Sequence, residues 1–212
     1  MSRPRLVLAS RNRHKVIEVG RILEELGLAV ELVGVADFDG VLDVPDVAET
    51  GGTFAENALL KAHAVARATG LPAVADDSGL CVDALAGMPG VLSARWSGRH
   101  GDDVANLLLV LAQLEDVPDE RLGASFHCSA ALVLPDRAEF VREGVWPGRL
   151  TREPRGSNGF GYDPIFVPEG EERTSAELSD EEKDAASHRG RAFRALGPTI
   201  DDLLADGRLG PG

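Results

Sequence analysis

The 212-residue chain carries 35 acidic against 22 basic side chains, a net charge of −13, and 43% of its residues are apolar. That balance excludes a general nucleic-acid binder, which needs a basic face, and no apolar run approaches the roughly 20 residues of a membrane span. Length and composition fit one large globular domain, 1–212, or two tightly joined lobes. The apolar run behind Met1–Arg5 is too short for a signal-peptide core, so a cytoplasmic protein is expected. Cys81 and Cys128 fit no metal spacing, and in that compartment two buried free thiols are favoured over a disulfide.

Leu6 to Ala9 predicts a first strand. Val16, Val19, Ile22, Leu23 and Leu26 then form one face of a helix that ends at Gly27. Leu28 to Val35 is a second strand candidate, and the acidic, glycine-rich residues 36–52 predict a loop. Thr53-Phe54-Ala55-Glu56 has the pattern of a capping box. It opens a helix with Phe54, Ala58, Ala62, Val65 and Thr69 on one face, stopped by Gly70-Leu71-Pro72. Leu71 to Ala75 predicts a buried strand ending in a turn at Asp76-Asp77-Ser78-Gly79. Residues 84–101 read as a loop, and either Asp102 or Asp103 caps an apolar helix through Leu114.

Phe126, Cys128, Ala130, Leu132 and Leu134 alternate with smaller or polar residues, the pattern of a strand with one face more buried. Pro135-Asp136-Arg137 is a turn, and Ala138 to Trp146 its hairpin partner. Residues 147–163 are irregular, Ile165 to Val167 is a short strand, and a capping box at Ser179–Glu182 opens one helix to about Leu196. Helices interleaved with strands, plus a central hairpin, predict a mixed-sheet α/β protein. The hairpin region, roughly 123–170, is the expected second lobe.

Five segments carry chemistry. Asp76 and Asp77 repel one another unless a divalent cation sits between them and an anionic substrate; the plain alternative is an Asp–Gly turn in which one of them caps backbone. In Ser10-Arg11-Asn12-Arg13-His14-Lys15, cations crowd a helix start that is already partly positive. An anion held there explains them; a solvated turn is the alternative, and no P-loop pattern exists in the chain. Glu49 lies in a loop that gives it no structural duty, while Asn57 and Lys61 share a helix face. Gly156 to Pro164 allows close backbone approach to a flat ligand, with Phe160 as a stacking face. Lys183 and Ser187-His188-Arg189 follow on one expected helix, where Arg189 offers a fork of donors.

The order of these segments is specific. Ser-x-Asn-x-x-Lys, Glu-Thr-Gly-x-Thr-Phe-x-Glu-Asn-Ala-x-x-Lys-Ala, Ala-Asp-Asp-Ser-Gly-Leu, Gly-Phe-Gly-Tyr-Asp-Pro-x-Phe and Lys-x-x-x-Ser-His-Arg-Gly occur in succession, with Pro-Gly-Val-x-Ser-Ala-Arg at 89–95. The set resembles the inosine triphosphate pyrophosphatase family from about Leu6 to Leu204. The resemblance implies an elongated mixed β-sheet with flanking helices, two lobes around a central cleft, and a homodimer. It implies Mg²⁺-dependent hydrolysis of dITP, ITP and XTP to the monophosphate and pyrophosphate, which keeps these purines out of DNA and RNA.

Carried over by motif, Ser10, Asn12, Lys15 and Lys61 would hold the triphosphate, in a segment that also contains Arg11, Arg13 and His14. The Arg13-His14 pair departs from the small residues of many relatives. Glu49 and Asp77 would lie near the metal, Asp77 also accepting a proton, and Ser78 would touch substrate. Phe160, Gly161, Tyr162 and Asp163 would enclose the base, with Lys183, His188 and Arg189 completing that wall. Donors aimed at a 6-oxo group would face the 6-amino donor of adenine, at about 1–3 kcal/mol for each buried donor left unpaired. A non-catalytic nucleotide sensor is the alternative from another class, and a pyrophosphatase for modified pyrimidine or methylated nucleotides is the enzymatic rival.

Overall fold

The computed structural model describes residues 3–40, 42, 44 and 46–209; the expected loop at 36–52 thus includes three positions, 41, 43 and 45, outside the described residues. The elements in chain order are β1 (Arg5–Leu8), α1 (Arg13–Glu25), β2 (Glu31–Gly34), α2 (Phe54–Thr69), β3 (Ala73–Val82), α3 (Asp103–Gln113), β4 (Gly123–Val133), β5 (Glu139–Leu150), β6 (Phe166–Pro168), α4 (Asp180–Ala186) and α5 (His188–Ala205). The strands form one mixed sheet in the order β2-β1-β3-β4-β5-β6. β1 runs parallel to β2 and β3, and β5 antiparallel to β6.

The chain divides into two compact units, the first comprising Met1–Asp77, Cys128–Gly144 and Arg189–Gly212, the second Ser78–His127 and Val145–His188. In the first unit the sheet has a core on each face. Leu6, Leu8, Val74, Cys128, Ala130 and Leu132 pack with Val19, Ile22 and Leu23 of α1 and Phe193, Leu196 and Ile200 of α5. Val7, Ala73, Ala75, Ala131 and Val133 pack on Ala58, Ala62 and Val65 of α2. Each fully buried Leu or Val contributes about 1.5–3 kcal/mol through removal from water. These two cores explain why β4 departs from the expected alternation: from Cys128 onward both of its faces are buried. The second unit has its own core, in which Leu80, Val82, Leu107, Val110, Trp146 and Leu150 surround Phe166. The Phe166 ring meets Phe126 edge-on at 4.7 Å and Trp146 at 5.4 Å.

Several local expectations change. At α2, Thr53 accepts the Glu56 N–H at 3.1 Å, but the Glu56 carboxylate takes the Gly52 N–H at 2.7 Å, so only half of the capping box forms. The single helix expected from Ser179 to Leu196 is two helices. Ser187 is extended, with φ −65° and ψ 159°, and separates α4 from α5. The Ser179 capping box itself is complete. Both cysteines are free; Cys128 is buried as expected, whereas Cys81 is only half-buried.

The largest correction concerns the aspartates. β3 does not turn at Asp76–Gly79 but continues through them to Val82. Gly79 does not adopt a positive φ. A Cβ there would strike the Gly90 carbonyl and the Ser93 hydroxyl. The glycine is therefore a close-approach position, and the Ser93 hydroxyl uses the space by accepting the Leu80 N–H at 2.9 Å. Gly79→Ala is expected to lose about 1–3 kcal/mol of stability by overpacking. Urea unfolding measures this, and an unchanged midpoint would show that the neighbouring segment yields.

Candidate active site

The first unit gathers its charged side chains around Asp76 and Asp77. Because strand residues alternate in direction, the two neighbours project to opposite faces and find different partners. The Asp76 side chain is only 1% exposed; its Oδ2 accepts from Lys15 Nζ at 3.0 Å and from Arg189 Nε at 3.1 Å. Arg189 Nη1 donates to both oxygens of Glu18, at 2.9 and 3.2 Å. The result is an alternating set, Lys15, Asp76, Arg189 and Glu18, built from α1, β3 and α5. Burial by itself would raise Asp76, but Lys15, Arg189 and Lys61 override it and hold the carboxyl far below the usual range.

Asp77 has a different environment. Its Oδ1 accepts from Lys61 Nζ at 2.9 Å and its Oδ2 from Asn57 Nδ2 at 3.1 Å. Lys61 also donates to Glu49 Oε1 at 2.8 Å. Burial pushes Asp77 up, Lys61 opposes that, and Glu49 adds to it, so the group stays above the usual carboxylate value. Glu49 is also raised by burial, but Lys61 outweighs this and lowers it. Lys61, lowered by burial, is raised overall by Asp77, Asp76 and Glu49, and so remains an ammonium. Two adjacent carboxyls are thereby driven in opposite directions, the pattern that separates a permanent anion from a proton acceptor.

Asn57 joins the Glu49 loop to this set. Fully buried on α2, it accepts the Gly51 N–H at 2.8 Å while donating to Asp77. A side chain at Gly51 would press within 2.7 Å of that amide oxygen. Around the start of α1, the Ser10 hydroxyl accepts the Asn12 N–H at 3.1 Å. Arg11 is turned to the 39–46 segment instead, donating to Asp39, Asp46 and the Val44 carbonyl. Arg13 is exposed at the first turn, and the side chain of His14 lies outside what is described.

The second unit holds the aromatic segment. The Asp163 carboxylate accepts from the Phe160 N–H at 2.8 Å, from Ser175 Oγ at 2.7 Å and from Lys183 Nζ at 2.5 Å. A side chain at Gly159 would collide with that same ion pair. Tyr162 is buried, its hydroxyl donating to the Ser93 carbonyl at 2.8 Å, and burial pushes the phenol above its ordinary value. Phe160 alone of these stands 46% exposed, with Lys183 Nζ 5.5 Å from its ring centre. The His188 ring is buried and stacked on Phe126 at 4.8 Å. Ser78, on β3, is half-buried.

A family model described as the Ham1 family matches residues 6–199. The chain belongs to the Ham1 family. Among its relatives, a dITP/XTP pyrophosphatase of Streptomyces avermitilis is 64% identical over 94% of this chain and 98% of its own length. One from Mycobacterium tuberculosis is 57% identical over 94% of this chain and 96% of its own. In structure, this Ham1-family chain is similar to a HAM1 protein from Coxiella burnetii, with TM-score 0.83, 44% identity, and coverage of 93% and 98% of the two chains. It is also similar to a nucleoside-triphosphatase, or dITP/XTP pyrophosphatase, from Mycobacterium abscessus, with TM-score 0.74, 58% identity, and coverage of 92% and 99%. The mixed sheet with flanking helices is the Ham1 fold.

Within this Ham1-family chain the first unit brings together Lys15, Glu49, Lys61, Asp76 and Asp77, with Ser10 and Asn12 at the start of α1. Arg189, expected in the wall around a base, instead gives its guanidinium to Asp76 and Glu18. The break at Ser187 explains the difference, because His188 and Arg189 open a new helix rather than continuing that of Lys183. In the second unit Tyr162 and Asp163 brace the segment from inside.

Glu18 lies outside the expected site residues, and Asn57, expected beside Lys61 on its helix face, serves Asp77 and the Gly51 N–H. The signal of Glu18 was faint but readable, since it places a polar group on the apolar face of its helix, beside Val19.

Asp76 makes acid stability sensitive to this set. Its carboxyl is lowered in the folded state, so the unfolded chain takes up its proton first as pH falls. The stabilisation is present above the ordinary carboxylate value, about 3.9, and is lost progressively below it. Asp76→Asn is therefore expected to flatten the fall in urea stability between pH 5 and 3, and an unaltered slope would remove Asp76 as its source.

Proposed function

We propose that the chain is a nucleoside triphosphate pyrophosphatase that hydrolyses dITP, ITP and XTP to the monophosphate and pyrophosphate; near-full-length relatives that are dITP/XTP pyrophosphatases support the dITP and XTP part of this reading. The observation that carries the mechanism is the different surroundings of the two carboxylates, Asp76 held by Lys15 and Arg189 and Asp77 by Lys61 and Asn57. Asp76 is a fixed anion that anchors Lys15 and Arg189. Asp77, with the higher proton affinity, takes the proton from water as it attacks the α-phosphorus, and pyrophosphate leaves. Lys15 and Lys61 exchange their carboxylate partners for phosphate oxygens. Such a transfer depends on positioning and charge and needs no covalent nucleophile.

The residues present fit a hard divalent cation. Glu49 and Asp77 both reach Lys61 Nζ, at 2.8 and 2.9 Å, so a cation entering between the two carboxylates would take the place of that ammonium. No group of three His, Cys, Asp or Glu is assembled for a metal among the described residues. Two carboxylates suit Mg²⁺, which keeps several waters and takes its remaining ligands from substrate phosphates. Bound there, Mg²⁺ would neutralise phosphate charge and acidify water. In the second unit, Phe160 offers its exposed face for stacking on the purine, with Lys183 beside it.

The proposal extends to a cytoplasmic homodimer whose partners are purine nucleotides, with 1–212 acting as one catalytic unit. The charge of −13 supports the exclusion of nucleic acid. No described helix is long and apolar enough to cross a membrane.

Two measurements test the reading. ITP and XTP with Mg²⁺ should give pyrophosphate, with little from ATP; orthophosphate would mean attack at the γ-phosphorus, and tight binding without turnover would favour a sensor. Asp77→Asn should lower kcat by about 10²-fold or more with the fold intact, and retained turnover would remove Asp77 as the base.

A further inference from the structure

Of the adjacent aspartates at the start of α3, only one is used as a cap. The Asp102 carboxylate accepts the Ala105 N–H at 3.1 Å and is the N-cap. Asp103, the first helical residue, has no cap to serve. Its Oδ2 instead accepts the N–H of Gly161 at 2.9 Å, across 58 residues of sequence. That glycine has φ 62°, a left-handed conformation that glycine adopts at no steric cost.

The same stretch of chain holds the aromatic segment a second time. Ser93, ten residues before Asp103, receives the Tyr162 hydroxyl on its carbonyl at 2.8 Å. The first turn of α3 is itself fixed, because buried Asn106 accepts the Ser97 N–H at 2.7 Å. Asp163 supplies an internal brace by accepting the Phe160 N–H, and the Phe160 carbonyl accepts the Asp163 N–H at 3.2 Å. The backbone of Phe160 and the N–H of Gly161 are thus consumed in bracing, and what the segment presents outward is the half-exposed Phe160 ring.

We infer that Asp103 is a positioning residue that sets the Phe160 ring for the purine by holding the Gly161 N–H; this rests on the pyrophosphatase reading above. No bond to substrate is involved. The carboxylate fixes one peptide plane, and that plane fixes the ring next to it. A hydrogen bond to a charged acceptor is among the stronger single contacts. Freeing it lets the segment sample orientations in which the ring no longer stacks, and apparent affinity falls by the fraction of competent conformer.

The experiment compares Asp103→Ala, Asp103→Asn and Asp103→Glu by pyrophosphate release from ITP with Mg²⁺, and by amide hydrogen exchange at residues 159–163. Asp103→Ala should raise KM for ITP by roughly tenfold, the size of one hydrogen bond to a charged group, while kcat stays within about twofold, and it should speed exchange at Gly161. Asp103→Asn keeps an acceptor oxygen at the same reach without its charge and should recover part of the lost affinity and protection. Asp103→Glu keeps the negative charge at the helix start but displaces the acceptor, and should resemble the Ala variant.

An unchanged KM for Asp103→Ala would overturn the inference. So would rescue by Glu but not Asn, which would mean that the carboxylate serves the α3 dipole. If the unaltered enzyme releases no pyrophosphate from ITP, the pyrophosphatase reading falls, and exchange at Gly161 still decides whether the brace exists.

Discussion

A buried carboxylate needs compensation close at hand, and Asp76 dictates much of the first unit for that reason. Sealed on a central strand between two apolar layers, it would be driven to its neutral form by desolvation. Lys15 from α1 and Arg189 from α5 meet it instead, and Glu18 balances the second arm of Arg189. Three elements distant in sequence are tied to one oxygen-rich point. The apolar residues of α1 and α5 press the helices onto the sheet, and the ion pairs fix their rotation.

With Asp76 committed, its neighbour has freedom of another kind. Asp77 has one ammonium, one amide and the nearby Glu49 around it. Removal from water raises its proton affinity, and a single lysine does not fully cancel that. The difference in their surroundings arises from the alternation of a strand, which turns consecutive side chains toward different helices. A helix or a loose turn holding the same two residues would not separate them so cleanly.

The α/β class, the mixed sheet and the helix faces were legible in the sequence, because the apolar spacing of α1 and α2 is strong and Gly27 and Gly70 mark their ends. The motif segments named most of the charged set. Three features were not legible. The passage of β3 straight through Asp76–Gly79 looked like a turn, because Asp and Gly are turn formers and the Ser93 hydroxyl that needs the missing Cβ is 14 residues away in sequence. The break at Ser187 was hidden by a run of good helix formers and is set by the start of α5. The direction of the Arg189 guanidinium depends on Glu18, 171 residues distant, and no local pattern encodes such a partner.

The set around the two aspartates contains four carboxylates, Glu18, Glu49, Asp76 and Asp77, and three cations, Lys15, Lys61 and Arg189. Taken with every member ionised, it is negative by one charge before any ligand arrives. A bare triphosphate therefore approaches a group whose own field opposes it at short range, and the lysines alone cannot reverse that sign. In the proposed reaction a cation arriving with the nucleotide would offset that excess carboxylate, so the balance of seven side chains would couple entry of the substrate to the ion that accompanies it.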